Sequence, residues 1–136
     1  MAGRVAWPPI GIYAATKGAV EMLSYALYYE LRPFGVRVIV VEPGHFATGM
    51  PPRVARRHTE ALPYSHLAAF APLPSASRPP GDPQVAAEMI VNVAKADQPR
   101  RRYLVGQDAE FWCGLHKRLS DEDFEQVMRT TLRFWD

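Results

Sequence analysis

The sequence predicts an α/β fold with a parallel sheet, and three features predict it. A long stretch with helical periodicity is closed by a proline and a glycine. A short, continuous run of β-branched residues follows, and the same helix–strand rhythm returns nearer the carboxyl end. At 136 residues the chain fits one domain. Its 48% apolar and 22% charged residues are the composition of a globular protein.

The first element spans Tyr13 to Leu31, where Val20, Leu23, Leu27 and Leu31 recur at three- and four-residue steps as one apolar stripe. Pro33 and Gly35 stop it. Next comes Val36–Val41, whose last four residues are continuously apolar and β-branched. Bounded by Gly35 and Pro43-Gly44, this run predicts a parallel strand buried on both faces. Residues 45 to 82 carry Pro51, Pro52, Pro63, Pro72, Pro74, Pro79 and Pro80. They predict a long loop with short helical turns such as Pro63–Ala71, and a loop of that length in a compact domain is usually functional.

Asp82-Pro83 is a helix start, with Asp as N-cap and Pro at the first helical position. Val85, Met89, Ile90 and Val93 supply the buried face of that helix, which runs to about Ala96. After Pro99, residues Arg102–Gly106 predict a second short strand. The remainder predicts two amphipathic helices, the last opened by Ser120 with Asp121, Glu122 and Asp123 behind it. The expected total is about two strands and three to five helices in a single partial domain over 1–136. Within it, 13–106 is the core, 45–82 a variable loop and 107–136 the C-terminal helices.

Composition narrows the function. A net charge of +2 gives no basis for nucleic-acid binding, and Arg100-Arg101-Arg102 is expected to be a solvated lead-in to the strand. Cys113 is the one cysteine, so no internal disulfide forms; it is expected to be a small apolar helix residue in a reducing compartment. No signal pattern opens the chain and no run approaches the roughly 20 apolar residues of a membrane span, so a cytoplasmic location is expected. His45 is expected to face solvent. His58, His66 and His116 lack partners at ligand spacing, so no metal is expected.

The chemistry sits in Tyr13-Ala14-Ala15-Thr16-Lys17. Four residues of helix put a phenol and an ammonium one turn apart on the same face. An ordinary phenol keeps its proton at neutral pH, and a neighbouring ammonium favours the phenolate by Coulomb attraction. Such a pair can both give and take a proton. Alone, the spacing is weak: with 6 Tyr in the chain, chance supplies about 0.13 such matches. Context strengthens it, because Pro43-Gly44-His45-Phe46-Ala47-Thr48 follows a buried strand at the carboxyl end, where α/β sheets bind ligands.

In order, spacing and both motifs, the chain resembles the short-chain dehydrogenase/reductase family, and Asp82–Gly106 resembles that family's penultimate helix and last strand. The resemblance implies the C-terminal portion of a Rossmann-type doubly wound sheet. It implies Tyr13 as the catalytic tyrosine, exchanging a proton with the substrate oxygen. It implies Lys17 as the residue that favours the phenolate and hydrogen-bonds the nicotinamide ribose. Thr48 matches the position whose hydroxyl meets the cofactor's carboxamide or phosphate, and Phe46 the one whose backbone hydrogen-bonds the carboxamide. Pro43 and Gly44 let the backbone pass close to the nicotinamide.

Two of the family's requirements have no counterpart. The glycine-rich turn that seats the pyrophosphate is not found, since Gly3 and Gly11 follow no strand. The family's serine would fall just before Met1. The expectation is a reading frame opened late, at an internal GTG or ATG codon. The resulting fragment is expected to be marginally stable, with Val38–Val41 offering an unpaired edge.

The function expected is an NAD(P)-dependent oxidoreductase acting on an alcohol or ketone, with the choice between NAD and NADP not readable. Leu62, Tyr64, Leu67 and Phe70 of the loop, with Phe111, Trp112 and Leu115, favour a lipophilic substrate. The resemblance also implies a homo-oligomer through the Tyr13–Leu31 helix. The competing expectation is an inactive fragment or interaction module docking through that helix. A further one places Trp112, Phe134 and Trp135 on a membrane surface, with Lys117, Arg118, Arg129 and Arg133 as head-group contacts.

Overall fold

A computed structural model describes residues 1–8, 10–48 and 79–132. The helical turn expected at Pro63–Ala71, the apolar loop residues Leu62, Tyr64, Leu67 and Phe70, and the aromatic pair Phe134 and Trp135 lie outside the described residues. The elements run α1 (Gly11–Leu31), a 3-10 turn (Arg32–Phe34), β1 (Val40–Pro43), α2 (Pro83–Lys95), β2 (Arg102–Val105), α3 (Gln107–Arg118) and α4 (Asp121–Leu132). The α/β class and each expected helix outside the loop are present.

Gly35 ends the first helix as the sequence predicts. Its φ of 74° is left-handed, a conformation that favours glycine, and its N–H donates to the Arg32 carbonyl at 3.1 Å. The buried face of α1 is not the predicted one. Val20 and Leu23 are 58% and 59% exposed, whereas Ala14 and Glu21 are the buried residues of the helix. Glu21 points inward to Arg102 of β2 at 3.0 Å, and of the apolar stripe only Leu27 and Leu31 are half-buried.

β1 and β2 pair in parallel with Val40 opposite Arg102, Val41 opposite Tyr103, Glu42 opposite Leu104 and Pro43 opposite Val105. With α2 between them they form one β–α–β unit. β1 starts later than the sequence predicts and runs into Pro43, because the ladder begins only where β2 begins, just past Pro99. Pro43 has no N–H to give, and the next residue, Gly44, donates to the Val105 carbonyl at 2.9 Å. Val38–Val41 are half-buried rather than buried on both faces. Among the described residues the sheet has two strands, each with one unpaired edge.

α2 is closed at both ends. Asp82 accepts the Gln84 N–H at 2.9 Å with Pro83 in the first turn. At the other end Arg37 donates to the carbonyls of Ala96 and Asp97 at 2.7 and 2.8 Å. Ser120 caps α4 as expected, accepting the Asp123 N–H at 3.1 Å and donating to that residue's carboxylate at 2.9 Å.

The core gathers Val5, Trp112, Cys113, Met128 and Leu132, with Met1, Trp7, Leu104, Leu115, Phe124 and Val127 packed on it. The first residues are thus clasped by α3 and α4. Trp112, at 3% exposure, and Leu115 belong to this core, so they give neither a membrane anchor nor a substrate wall. Cys113 is a buried free thiol whose ionisation burial pushes upward, matching the small apolar residue expected. His116 sets its ring edge-on to Phe124 at 4.9 Å.

Candidate active site

Tyr13 and Lys17 occupy the outer face of α1. Tyr13 is 44% exposed, and the Lys17 ammonium stands 5.4 Å from the centre of its ring. Nothing beyond helix pitch brings them together. The small residues Ala14 and Gly18 on the neighbouring face let the segment at Gly3 approach; a Cβ on Gly3 would stand 2.9 Å from the Lys17 carbonyl.

The second group lies at the carboxyl end of β1, where Pro43-Gly44 carries the chain out of the sheet. His45 donates its N–H to the Asp108 carboxylate at 2.7 Å. Its carbonyl accepts the Gly81 N–H at 2.9 Å, and Ala47 donates to the Gly81 carbonyl at 2.9 Å. The Thr48 N–H closes a tight turn on the Phe46 carbonyl at 2.8 Å. With the amides of residues 45 and 47 taken, the Phe46 N–H between them has no partner among the described residues. The His45 side chain faces solvent, as expected.

A buried ion cluster joins the supports of the two groups. Arg102 on β2 pairs with Glu21 of α1 at 3.0 Å and with Glu42 of β1, while Arg4 reaches Glu42 at 3.9 Å. Tyr25 adds its hydroxyl to Arg102 at 3.1 Å. Glu42 is 3% exposed, and its oxygens meet cations but no donor in hydrogen-bond geometry. Burial raises the Glu21 carboxyl above the usual carboxylate range; Glu42 adds to this and Arg102 opposes it. For Arg102 burial works against the charge, and its contacts with Glu42, Tyr25 and Glu21 outweigh burial and hold the guanidinium above its ordinary value.

This corrects the expectation for the basic triplet. Arg102 is a half-buried bridge between two buried carboxylates rather than a solvated residue, and Arg101 stacks over Tyr25 with 4.2 Å to the ring centre. The tyrosines of α1 therefore meet arginines: Tyr28 accepts from Arg32 at 2.8 Å and Tyr29 from Arg101 at 3.2 Å. Sequence reasoning missed Glu21, Glu42 and Asp108. A faint signal existed for Glu42, an acid in an otherwise apolar strand; Glu21 and Asp108 gave none. Among the described residues no group of His, Cys, Asp and Glu could hold a metal, and no helix is long and apolar enough to cross a membrane.

Comparison with known proteins agrees with the α/β fold. Residues 1–59 match the family model described as short chain dehydrogenase. An uncharacterized oxidoreductase of Schizosaccharomyces pombe is 30% identical over 125 residues, covering 90% of this chain and 52% of that protein. Rat mitochondrial D-beta-hydroxybutyrate dehydrogenase is 52% identical over 46 residues, 34% of this chain and 13% of its own. The crystal structure of a short-chain dehydrogenase from Streptomyces avermitilis superposes with a TM-score of 0.65 at 28% identity, covering 96% of this chain and 49% of that one.

The chain is similar to short-chain dehydrogenases in sequence over residues 1–59 and in fold along 96% of its length. It spans about half the length of the relatives it matches along most of its own.

Proposed function

We propose that this chain contributes the proton-transfer pair and the nicotinamide-facing loop of an NAD(P)-dependent oxidoreductase acting on an alcohol or ketone. The exposed Tyr13–Lys17 pair on α1, in a chain similar to short-chain dehydrogenases, carries the proposal. The Phe46 N–H at the strand exit, without a partner among the described residues, supports it as a donor for the carboxamide, with the Thr48 hydroxyl two residues on. The cofactor, when bound, supplies or accepts the hydride. The chain's own residues do the rest: Tyr13 moves a proton at the substrate oxygen, and Lys17 stabilises the phenolate and meets the ribose. Pro43 and Gly44 bring the backbone close.

A lipophilic substrate is the finer proposal. Phe111, which is 56% exposed and edge-on to Trp112 at 5.2 Å, supports it among the described residues. The test is a titration of the purified protein with NAD and NADP, followed by turnover of a panel of secondary alcohols and ketones of rising apolar size. Wild type binds and turns over, Tyr13→Phe binds without turning over, and Lys17→Met loses both. Turnover by Tyr13→Phe at the wild-type rate refutes the assignment.

A further inference from the structure

The loop from Pro43 to Thr48 is held by a residue so far without a role. Asp108 lies in the first turn of α3, and its carboxylate accepts the His45 N–H at 2.7 Å. The approach is close enough that a Cβ on Gly44 would run into that carboxylate, and one on Gly106 would stand 2.9 Å from it. Gly106 also has φ 99°, which an ordinary residue rarely adopts. Two glycines thus clear a seat for one carboxylate.

The opposite edge of the loop is fixed by Gly81, which takes the His45 carbonyl and the Ala47 N–H. The Phe46 ring lies against Gly81 and Gly106, whose would-be Cβ atoms fall 2.9 and 3.4 Å from it. Gly81 donates to the His45 carbonyl and accepts from the Ala47 N–H, the pattern of a parallel bridge, in which the N–H of the residue between, Phe46, points away from Gly81. An acid at a helix start also complements the helix dipole, but that role needs no particular partner.

We infer that Asp108 is a positioning residue for the cofactor: through the His45 amide it sets the path of Gly44 and the direction in which Phe46 offers its N–H. The inference rests on the function proposed above. Its test compares Asp108→Ala, which removes the acceptor, with Asp108→Asn, which keeps an acceptor oxygen without the charge. Three quantities are read: hydrogen exchange at the His45 amide, the dissociation constant for NAD or NADP, and the thermal midpoint as a control for folding.

In Asp108→Ala, His45 exchange is expected to rise and cofactor binding to weaken about tenfold, with kcat within about twofold of wild type. Asp108→Asn is expected to retain most of both. Faster His45 exchange with unchanged cofactor affinity overturns the positioning role while leaving the proposed function intact. Equal weakening in both variants, tracking a lowered thermal midpoint, assigns Asp108 to helix stability and overturns it too. A wild-type protein that binds neither NAD nor NADP overturns the proposed function itself, and the role of Asp108 with it.

Discussion

On α1, Tyr13 and Lys17 owe their juxtaposition to four residues of helix, whereas the loop at the end of β1 owes its path to distant segments. Gly81, Val105 and Asp108 hold that loop, and the His45–Asp108 bond alone joins residues 63 apart in sequence. The contrast separates two ways of building a site. A pair set by helix pitch survives any packing that leaves the helix intact, and its side chains stay exposed and free to meet a ligand. A loop set by tertiary contacts carries its information in glycines and a carboxylate that never touch the reacting atoms. The ion cluster around Arg102 belongs to neither, but ties the helix of the first to the strand of the second.

Substitutions can break this contrast, and the largest effect is expected at Tyr13. Tyr13→Phe should cut turnover by about 10²–10⁴-fold, the range for losing a positioned acid or base, with no change in the thermal midpoint. Turnover of NADH or NADPH and a thermal melt measure the two sides. Next is Arg102→Met, which strands Glu21 and Glu42 in a buried setting. Leaving buried charge uncompensated costs about 3–5 kcal/mol. Denaturant unfolding should show that loss, and a variant within experimental error of wild type would sever the proposed tie between helix and strand.

Gly44→Ala comes third. Its methyl group would meet the Asp108 carboxylate, so overpacking of about 1–3 kcal/mol is expected together with weaker cofactor binding. Restoration of binding in the double variant Gly44→Ala, Asp108→Ala would sharpen the assignment, because the second change removes the obstruction. The smallest effect concerns pH. Glu21 has its folded-state ionisation raised above the ordinary value of 4.5. Its contribution to stability is therefore complete below that pH and is lost as the pH rises through the raised value. Thermal midpoints of wild type and Glu21→Gln should agree at low pH and diverge above 4.5, in favour of the variant.

What the sequence made legible follows the same division. The helix, its glycine stop, the capped α2 and the Tyr13–Lys17 spacing all depend on neighbours within a turn or two, and a sequence displays these directly. The Pro43–Thr48 motif was visible as a strand exit, but the groups that clamp it were not, since no local pattern connects Asp108 to His45. Periodicity misled at Val20 and Leu23: it counts apolar side chains, whereas the face turned inward carries Glu21 against Arg102. For the same reason the arginine triplet passed as a surface run. Its partners are a glutamate 81 residues back and another on the adjacent strand.

Cys113 gives the chain a built-in clock. It is the one thiol in the sequence, it lies against Trp112 and Met128 at the centre of the core, and burial keeps it protonated. A thiol reagent can reach it only while that core is open, so the labelling rate at low reagent concentration reports how often α3 and α4 part from the first residues of the chain. Nothing need be engineered to hear it tick. Substitutions at the Tyr13–Lys17 pair should leave its pace unchanged, and any that loosen the clasp around Val5 should quicken it.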